Sequence, residues 1–292
     1  MIIPEFTYHR PTTLAEACEL GRSLGDQACY LAGGTDLFVD LKQKRRTTGH
    51  VISLANLPGL DTITIDNGSL RIGAMTRLTG VARSEEVKLA YPALSEAVSA
   101  IGSEQIRNQG TIGGNFCGAV PCADSPPICI AGDAMLKISD GTGERIMAAG
   151  EFISSPRVHT LKPGEVLLEV TIPAQPDHSG ASYQRFSLRH GSALAVASVA
   201  ARLTVEDGKI GDARVVLGAV APVPLTAAGC AGELIGQVPS DDIFRKAAAV
   251  AASEASPLTD IRGSEEFRRN IVEVLTIRAL HEALERAGGV VL

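Results

Sequence analysis

Two glycine pairs with polar flanks, Ala32-Gly33-Gly34-Thr35-Asp36 and Thr111-Ile112-Gly113-Gly114-Asn115, constrain this chain more than any other feature. Paired glycines remove Cβ atoms and permit positive φ, so consecutive backbone N–H groups can converge on an anion. The first pair follows the apolar run Ala28-Cys29-Tyr30-Leu31 and precedes Leu37-Phe38-Val39-Asp40-Leu41. It therefore reads as a strand-to-helix turn with a helix N-terminus behind it, a pattern that also describes a turn without a ligand. The second follows Gln105-Ile106-Arg107-Asn108-Gln109-Gly110, and its Thr111 and Asn115 bring hydroxyl and amide groups to a bare backbone. Two such segments suit an extended diphosphate better than a single phosphate. Neither Gly-x-Gly-x-x-Gly after a strand nor Gly-x-x-x-x-Gly-Lys-Ser/Thr is found, so neither a Rossmann site nor a P-loop is supported.

The elements around these pairs fall into three stretches. Thr13-Leu14-Ala15-Glu16 is a capping box, with Leu14, Ala17, Leu20 and Leu24 following at helical spacing. The strand at 28–31, the helix at 37–41 and a strand His50–Leu54 make a small βαβ-like unit. From about residue 60 the period changes to alternation: Ile63 and Ile65, then Leu70 and Ile72, flank Asp66-Asn67-Gly68, a hairpin signal. Helical stretches at 78–89 and around Leu94–Ile101 follow, then strands at 134–138 and 166–172, which predicts a mainly antiparallel sheet with helices. The Pro- and Gly-punctuated run Pro173–Gly180 is the boundary candidate. Strands at 183–188, 195–205 and 213–219 and helices at 241–255 and 264–287 complete the chain. The last helix is expected to place Phe267, Ile271, Val274 and Leu275 on one face.

Composition narrows the classes. With 27 Lys+Arg against 33 Asp+Glu, the net charge of −6 argues against a nucleic-acid or anionic-membrane footprint. No stretch approaches the roughly 18 apolar residues of a membrane span, and the start at Met1–Phe6 does not read as a secretory signal. Aromatics are 4% with no Trp, so the core must be built from Ala, Val, Ile and Leu. Six cysteines are too sparse for a disulfide scaffold and read as reduced thiols in a cytoplasmic protein.

The two glycine segments, together with Ala123-Asp124-Ser125-Pro126-Pro127, the opening Phe6-Tyr8-Pro11 pattern and the Glu165-Val166-Leu167-Leu168 strand, resemble the FAD-binding medium subunit of molybdenum hydroxylases, the family of carbon monoxide, xanthine and nicotinate dehydrogenases. The resemblance spans essentially the whole chain. It implies an α+β fold of the p-cresol-methylhydroxylase type: an FAD-binding domain over 1–175, in subdomains of about 1–57 and 58–175, followed by a β-then-α C-terminal domain over 180–292. It also implies a hetero-oligomer with a small 2Fe–2S subunit and a large molybdopterin subunit, and electron transfer through FAD to NAD+ or another acceptor. Residues 32–36 and 111–115 would hold the diphosphate. Asp124 would bind ribityl or ribose hydroxyls, Ile101 would pack on the adenine, the Leu167 backbone would meet the flavin pyrimidine edge, and Arg185 would stand near the flavin carbonyls. The loop Arg189-His190-Gly191-Ser192-Ala193 lacks the aromatic residue that shields the flavin in some relatives. A free-standing flavin-dependent reductase of the same superfold is the alternative.

Other constellations carry less. Cys117, Cys122 and Cys129 match no familiar cluster spacing and read as small residues packed around the flavin. The histidines show no metal-type pairing. A cap on the following helix is the alternative role for Asp124, with the FAD contact favoured by the resemblance, and Arg107 would either position the second glycine segment or form a structural ion pair. No residue of this chain is expected to be catalytic.

Overall fold

The first element to form a sheet is a short strand, β1 (Thr7–His9), in a computed structural model that describes residues 3–189 and 191–291. His190 of the shielding loop lies outside the described residues. Helix α1 (Leu14–Leu24) starts where Thr13 Oγ1 accepts the Glu16 N–H at 3.2 Å and the Glu16 carboxylate accepts the Thr12 N–H at 2.9 Å. Then come β2 (Ala28–Leu31), α2 (Leu37–Lys42) and β3 (His50–Ser53). The three strands are parallel in the order β1-β3-β2, with His50 opposite both Thr7 and Ala28. The 32–36 segment thus leaves the C-terminal end of a parallel strand, the side on which open parallel sheets bind ligands.

The second unit begins with β4 (Ile63–Asp66) and β5 (Ser69–Gly73), a hairpin turned by Asn67 at φ 48° and Gly68 at φ 79°. Helices α3 (Leu78–Arg83), α4 (Glu85–Ala90), α5 (Pro92–Ser99), α6 (Glu104–Arg107), α7 (Ile112–Cys117) and α8 (Ser125–Ala131) follow. Where the sequence predicts one helix over 78–89, the chain forms two. Ser84 adopts an extended conformation, and its hydroxyl caps α4 by accepting the Val87 N–H at 3.2 Å. A local side-chain bond here competes with helix propagation. Strands β6 (Met135–Ser139), β7 (Glu144–Ala148) and β10 (Val166–Ile172) complete an antiparallel sheet in the order β4-β5-β10-β6-β7; β8 (Ile153–Ser155) and β9 (Val158–His159) form a separate hairpin. The central strand β10 carries a bulge between Leu167 and Glu169. Val166 and Leu168 pack with α1 and β3 by ordinary alternation, and the bulge lets Leu167 share the core of the second unit with Val170 and Ile172.

Beyond Pro173, β11 (Ser179–Phe186), β12 (Ala197–Glu206), β13 (Lys209–Gly218) and β14 (Leu225–Thr226) form a second antiparallel sheet. Its strands are followed by α9 (Ala228–Leu234), α10 (Asp241–Glu254) and α11 (Glu265–Arg286). This sheet is covered on both sides. Ala197, Val199, Ala201 and Leu203 point into a core with α9, α10 and α11, whereas Ala181, Tyr183, Ala200 and Val216 join the core of the preceding unit. The two-sided burial explains why β12 is buried at every position from Ala197 to Thr204. Helix α11 differs from its predicted face: Phe267 and Val274 are 39% and 44% exposed. The buried stripe runs instead through Arg268, Val272, Leu275, Thr276, Ala279, Leu280, Ala283 and Leu284. The buried cation Arg268 explains the rotation, because its guanidinium donates to Val196 O at 2.8 Å and to Asp260 Oδ1 at 2.6 Å. Among the described residues, no helix is long and apolar enough to cross a membrane.

Candidate functional site

The two glycine segments meet. A Cβ on Gly33 would collide with the Gln109 carbonyl and lie 2.8 Å from Gly110 Cα, so glycine is required for this approach of one backbone to the other. On the same contact, Thr35 Oγ1 stands 3.5 Å from where a Gly110 Cβ would be. A Cβ on Gly114 would point toward Ala32, 3.9 Å from its Cβ. Gly34 sits at φ 74°, a conformation that side-chain-bearing residues rarely adopt.

The segments offer a ligand different things. At 32–36, among the described residues, the N–H groups of Ala32, Gly33, Gly34, Thr35 and Asp36 have no protein acceptor. They form an open run of donors at the end of β2. At 111–115 the expectation of free N–H groups is corrected. Ile112 N–H donates to Thr76 O at 3.0 Å, Gly113 N–H to Ala74 O at 2.9 Å, Gly114 N–H to Thr111 Oγ1 at 3.0 Å, and Asn115 N–H to Thr111 O at 3.0 Å. The reason is that this glycine pair lies inside α7, with Thr111 as its N-cap, rather than in a loop. Gly113 is required for packing, since a Cβ there would lie 2.7 Å from Ala74 Cβ. What remains for a ligand is the Gly114 surface and the Asn115 amide, whose Oδ1 accepts the Ser125 hydroxyl at 2.6 Å. Asp36 begins α2 without capping it by its side chain, and its carboxylate Oδ2 would be 3.4 Å from a Cβ on Gly118.

The remaining expected residues gather at a second place. Asp124 precedes α8 but makes no side-chain cap. Its carboxylate, 5% exposed, turns inward: Oδ1 accepts the Tyr183 hydroxyl at 2.7 Å and lies 2.9 Å from Arg185 Nε. The arginine contact is an ion pair rather than an aligned hydrogen bond. Burial pushes the Asp124 carboxyl above its ordinary value, while Arg185 and the Tyr183 hydroxyl pull it down. Arg185 further donates through Nη1 to Ala100 O at 3.0 Å and through Nη2 to Ala193 O. Two of its five N–H groups are therefore committed to backbone carbonyls and its Nε lies against the Asp124 carboxylate, which a role against flavin carbonyls did not anticipate. Arg107 ties its own segment by donating to Ile101 O at 2.8 Å. A cavity of about 390 Å³ opens beside these groups, lined in part by Ala100, Gly102, Ser103, Arg107, Arg185 and Ser187. Ile101, buried at 8% exposure, follows Ala100, whose carbonyl Arg185 holds, so Ile101 and Arg185 belong to the same region of the fold. Extended FAD keeps its adenine and isoalloxazine apart, so the adenine role for Ile101 and the flavin role for Arg185 compete. Leu167 lies on β10 beyond the point where β5 pairing stops, with β6 as its strand neighbour.

The cysteines are free thiols, and burial raises Cys117 to about 12, so it is protonated and unreactive at neutral pH. Among the described residues, no group of three or more His, Cys, Asp or Glu side chains is placed to hold a metal.

Residues 4–175 match the model of the FAD binding domain in molybdopterin dehydrogenase, and residues 181–283 match the CO dehydrogenase flavoprotein C-terminal domain. The chain belongs to this FAD-binding family. Its similarity runs end to end. It is 31% identical to the xanthine dehydrogenase FAD-binding subunit of Escherichia coli O157:H7, with 97% of each chain covered. It is 32% identical to the carbon monoxide dehydrogenase medium chain of Afipia carboxidovorans, with 98% of this chain and 99% of that one covered. The fold superposes with a TM-score of 0.95 on a chain of carbon monoxide dehydrogenase from Hydrogenophaga pseudoflava, at 30% identity over 98% of this chain and 99% of that one. The protein is thus an FAD-binding subunit of the molybdenum hydroxylase type, and the family is one of oxidoreductases.

The residues fit FAD. An open run of backbone donors begins beside the bare surface of Gly114, and the approach of the two segments forbids a side chain at Gly33. Sequence reasoning missed Tyr183. The one available signal was its spacing two residues before Arg185, which puts both on one face of β11.

Proposed function

We propose that this subunit holds FAD between its first and second units and relays electrons from 2Fe–2S clusters of a small partner subunit to NAD+ or another acceptor. A large molybdopterin subunit oxidises the substrate. The observation that carries this reading is the unpartnered N–H run at Ala32, Gly33, Gly34, Thr35 and Asp36 that begins beside the bare Gly114 surface. The run holds the diphosphate, and Thr111, Ile112, Gly113, Gly114 and Asn115 shape the opposite side. Ile101, Asp124 and Arg185 serve one end of the cofactor, with Arg185 rather than Ile101 deciding that this is the flavin end; the Leu167 backbone serves the pyrimidine edge. The FAD-binding domain takes 1–175, in subdomains of about 1–57 and 58–175, and the C-terminal domain takes 180–292. The protein works in the cytoplasm, where its thiols stay reduced.

FAD supplies an isoalloxazine that accepts electrons singly and hands them on in pairs. The chain's own contribution is to bind, orient and set the electrostatics. Arg185 would supply positive charge toward a bound flavin, which favours its reduced form, and the Asp124 carboxylate beside it moderates that charge. No side chain of this subunit needs to act as a general base.

A test is the assembled complex carrying Gly114→Leu. Acceptor turnover is expected to be lost with FAD, while reduction of the molybdenum centre by substrate survives. Loss of substrate oxidation at molybdenum would overturn the division of labour. For the isolated chain, a yellow preparation absorbing near ~450 nm that releases FAD on denaturation is expected.

A further inference from the structure

The buried phenol of Tyr183 has no part in the reading above, although it stands on the same carboxylate oxygen as Arg185. It is 8% exposed, with its hydroxyl donating to Asp124 Oδ1 at 2.7 Å; that same oxygen lies 2.9 Å from Arg185 Nε. Arg185 in turn lines the cavity of about 390 Å³ and donates to Ala100 O and Ala193 O. One carboxylate oxygen is therefore divided between a neutral donor and a cation.

We propose that Tyr183 is a positioning residue that acts through Asp124 on Arg185, setting how much positive charge Arg185 presents to the ligand cavity. The inference rests on the reading that the cavity receives the flavin end of FAD. The physical reasoning is one of competition. A hydrogen bond from Tyr183 satisfies part of the carboxylate's demand for donors, so Arg185 keeps more of its field for the cavity. Burial strengthens the effect, because all three groups are withdrawn from water and their fields are weakly screened. Without the phenol oxygen the carboxylate draws on Arg185 alone. The cation is then more fully neutralised, and a reduced, anionic ring beside it is less stabilised.

The test uses the full-length chain loaded with FAD and reads the flavin midpoint potential by spectroelectrochemistry. Tyr183→Phe keeps the ring and its packing. It is expected to shift the potential to more negative values in the native background and to cause no further shift when combined with Arg185→Gln. Equal shifts in both backgrounds, or no shift in the native one, would overturn the proposal. If Tyr183→Phe fails to fold, as judged by circular dichroism, Asp124→Asn in the same two backgrounds reads the same relay from its middle. It must then shift the potential upward by more while Arg185 is present than in Arg185→Gln, because loss of the carboxylate's own charge acts in both backgrounds; equal shifts in the two overturn the proposal. Failure of the unmodified chain to bind FAD at all would instead count against the cofactor reading beneath it.

Discussion

Two segments with the same sequence signature, a glycine pair between polar residues, solve different physical problems. At 32–36 the pair leaves backbone donors open, since the N–H groups from Ala32 to Asp36 have no protein acceptor among the described residues. At 111–115 the pair is folded into α7, and every N–H from Ile112 to Asn115 is bonded within the protein. One segment supplies chemistry, and the other supplies shape. A glycine pair in a sequence therefore announces close approach, and only the hydrogen-bond ledger of the fold says whether a ligand or another backbone is approaching.

The sharpest way to break this contrast is Gly33→Val. Its side chain must displace the Gln109 carbonyl, so a stability loss of about 3 kcal/mol is expected together with loss of FAD. Thermal melting and the flavin content of the purified protein measure the two effects. Gly114→Leu separates them. Its Cβ would lie 3.9 Å from the Ala32 Cβ and 3.0 Å from Thr111 Oγ1, so the capping hydroxyl must give by a few tenths of an ångström, and the longer side chain fills the crevice. A melting loss smaller than that of Gly33→Val, with FAD content reduced at least tenfold, is expected; retained FAD would show that the crevice is not the binding cleft.

Thr111→Val tests the shaping role of the second segment alone. Removing the hydroxyl that accepts the Gly114 N–H at 3.0 Å should cost about 1 kcal/mol in chemical denaturation. FAD affinity per folded molecule should stay within about twofold of the native value.

The smallest effect concerns acid. Glu165, on the segment leading into β10, accepts from Arg145 Nε at 2.8 Å and Nη2 at 2.7 Å, and Arg145 holds its carboxyl below the usual range. A group depressed in the folded state stabilises it above its unfolded pKa of about 4.3. That contribution disappears as pH falls through the folded value. Glu165→Gln should thus lower stability at pH 7 while making its decline below about pH 4 shallower. Parallel acid limbs for the two proteins would contradict the assignment.

Much of this was legible in local sequence. The run Val166–Ile172 followed by Pro173 marks a strand with the bounds observed for β10, and Asp66-Asn67-Gly68 marks the turn of the β4–β5 hairpin. Each of these is decided by neighbours a few residues away. The second glycine pair was harder, because whether its N–H groups are free depends on Ala74 and Thr76, carbonyls from a distant segment. The predicted face of α11 held at Leu275 and at the partly buried Ile271, and failed at Phe267 and Val274 for a related reason. Hydrophobic spacing favoured Phe267 and Val274, whereas burial of Arg268 on Val196 O and Asp260 turned the helix. Ser84 broke an expected helix through a single hydroxyl bond. The pairing of Asp124 with Tyr183 and Arg185 spans separate units of the fold, and nothing local to Asp124 distinguished that role from a helix cap.

Hydrogen–deuterium exchange on the full chain, with and without FAD, tests the contrast most directly. Peptides covering 31–37 should exchange quickly without the cofactor and become strongly protected when it binds, while peptides covering 111–117 should be protected in both states. Protection gained at 111–117 with none at 31–37 would contradict the account.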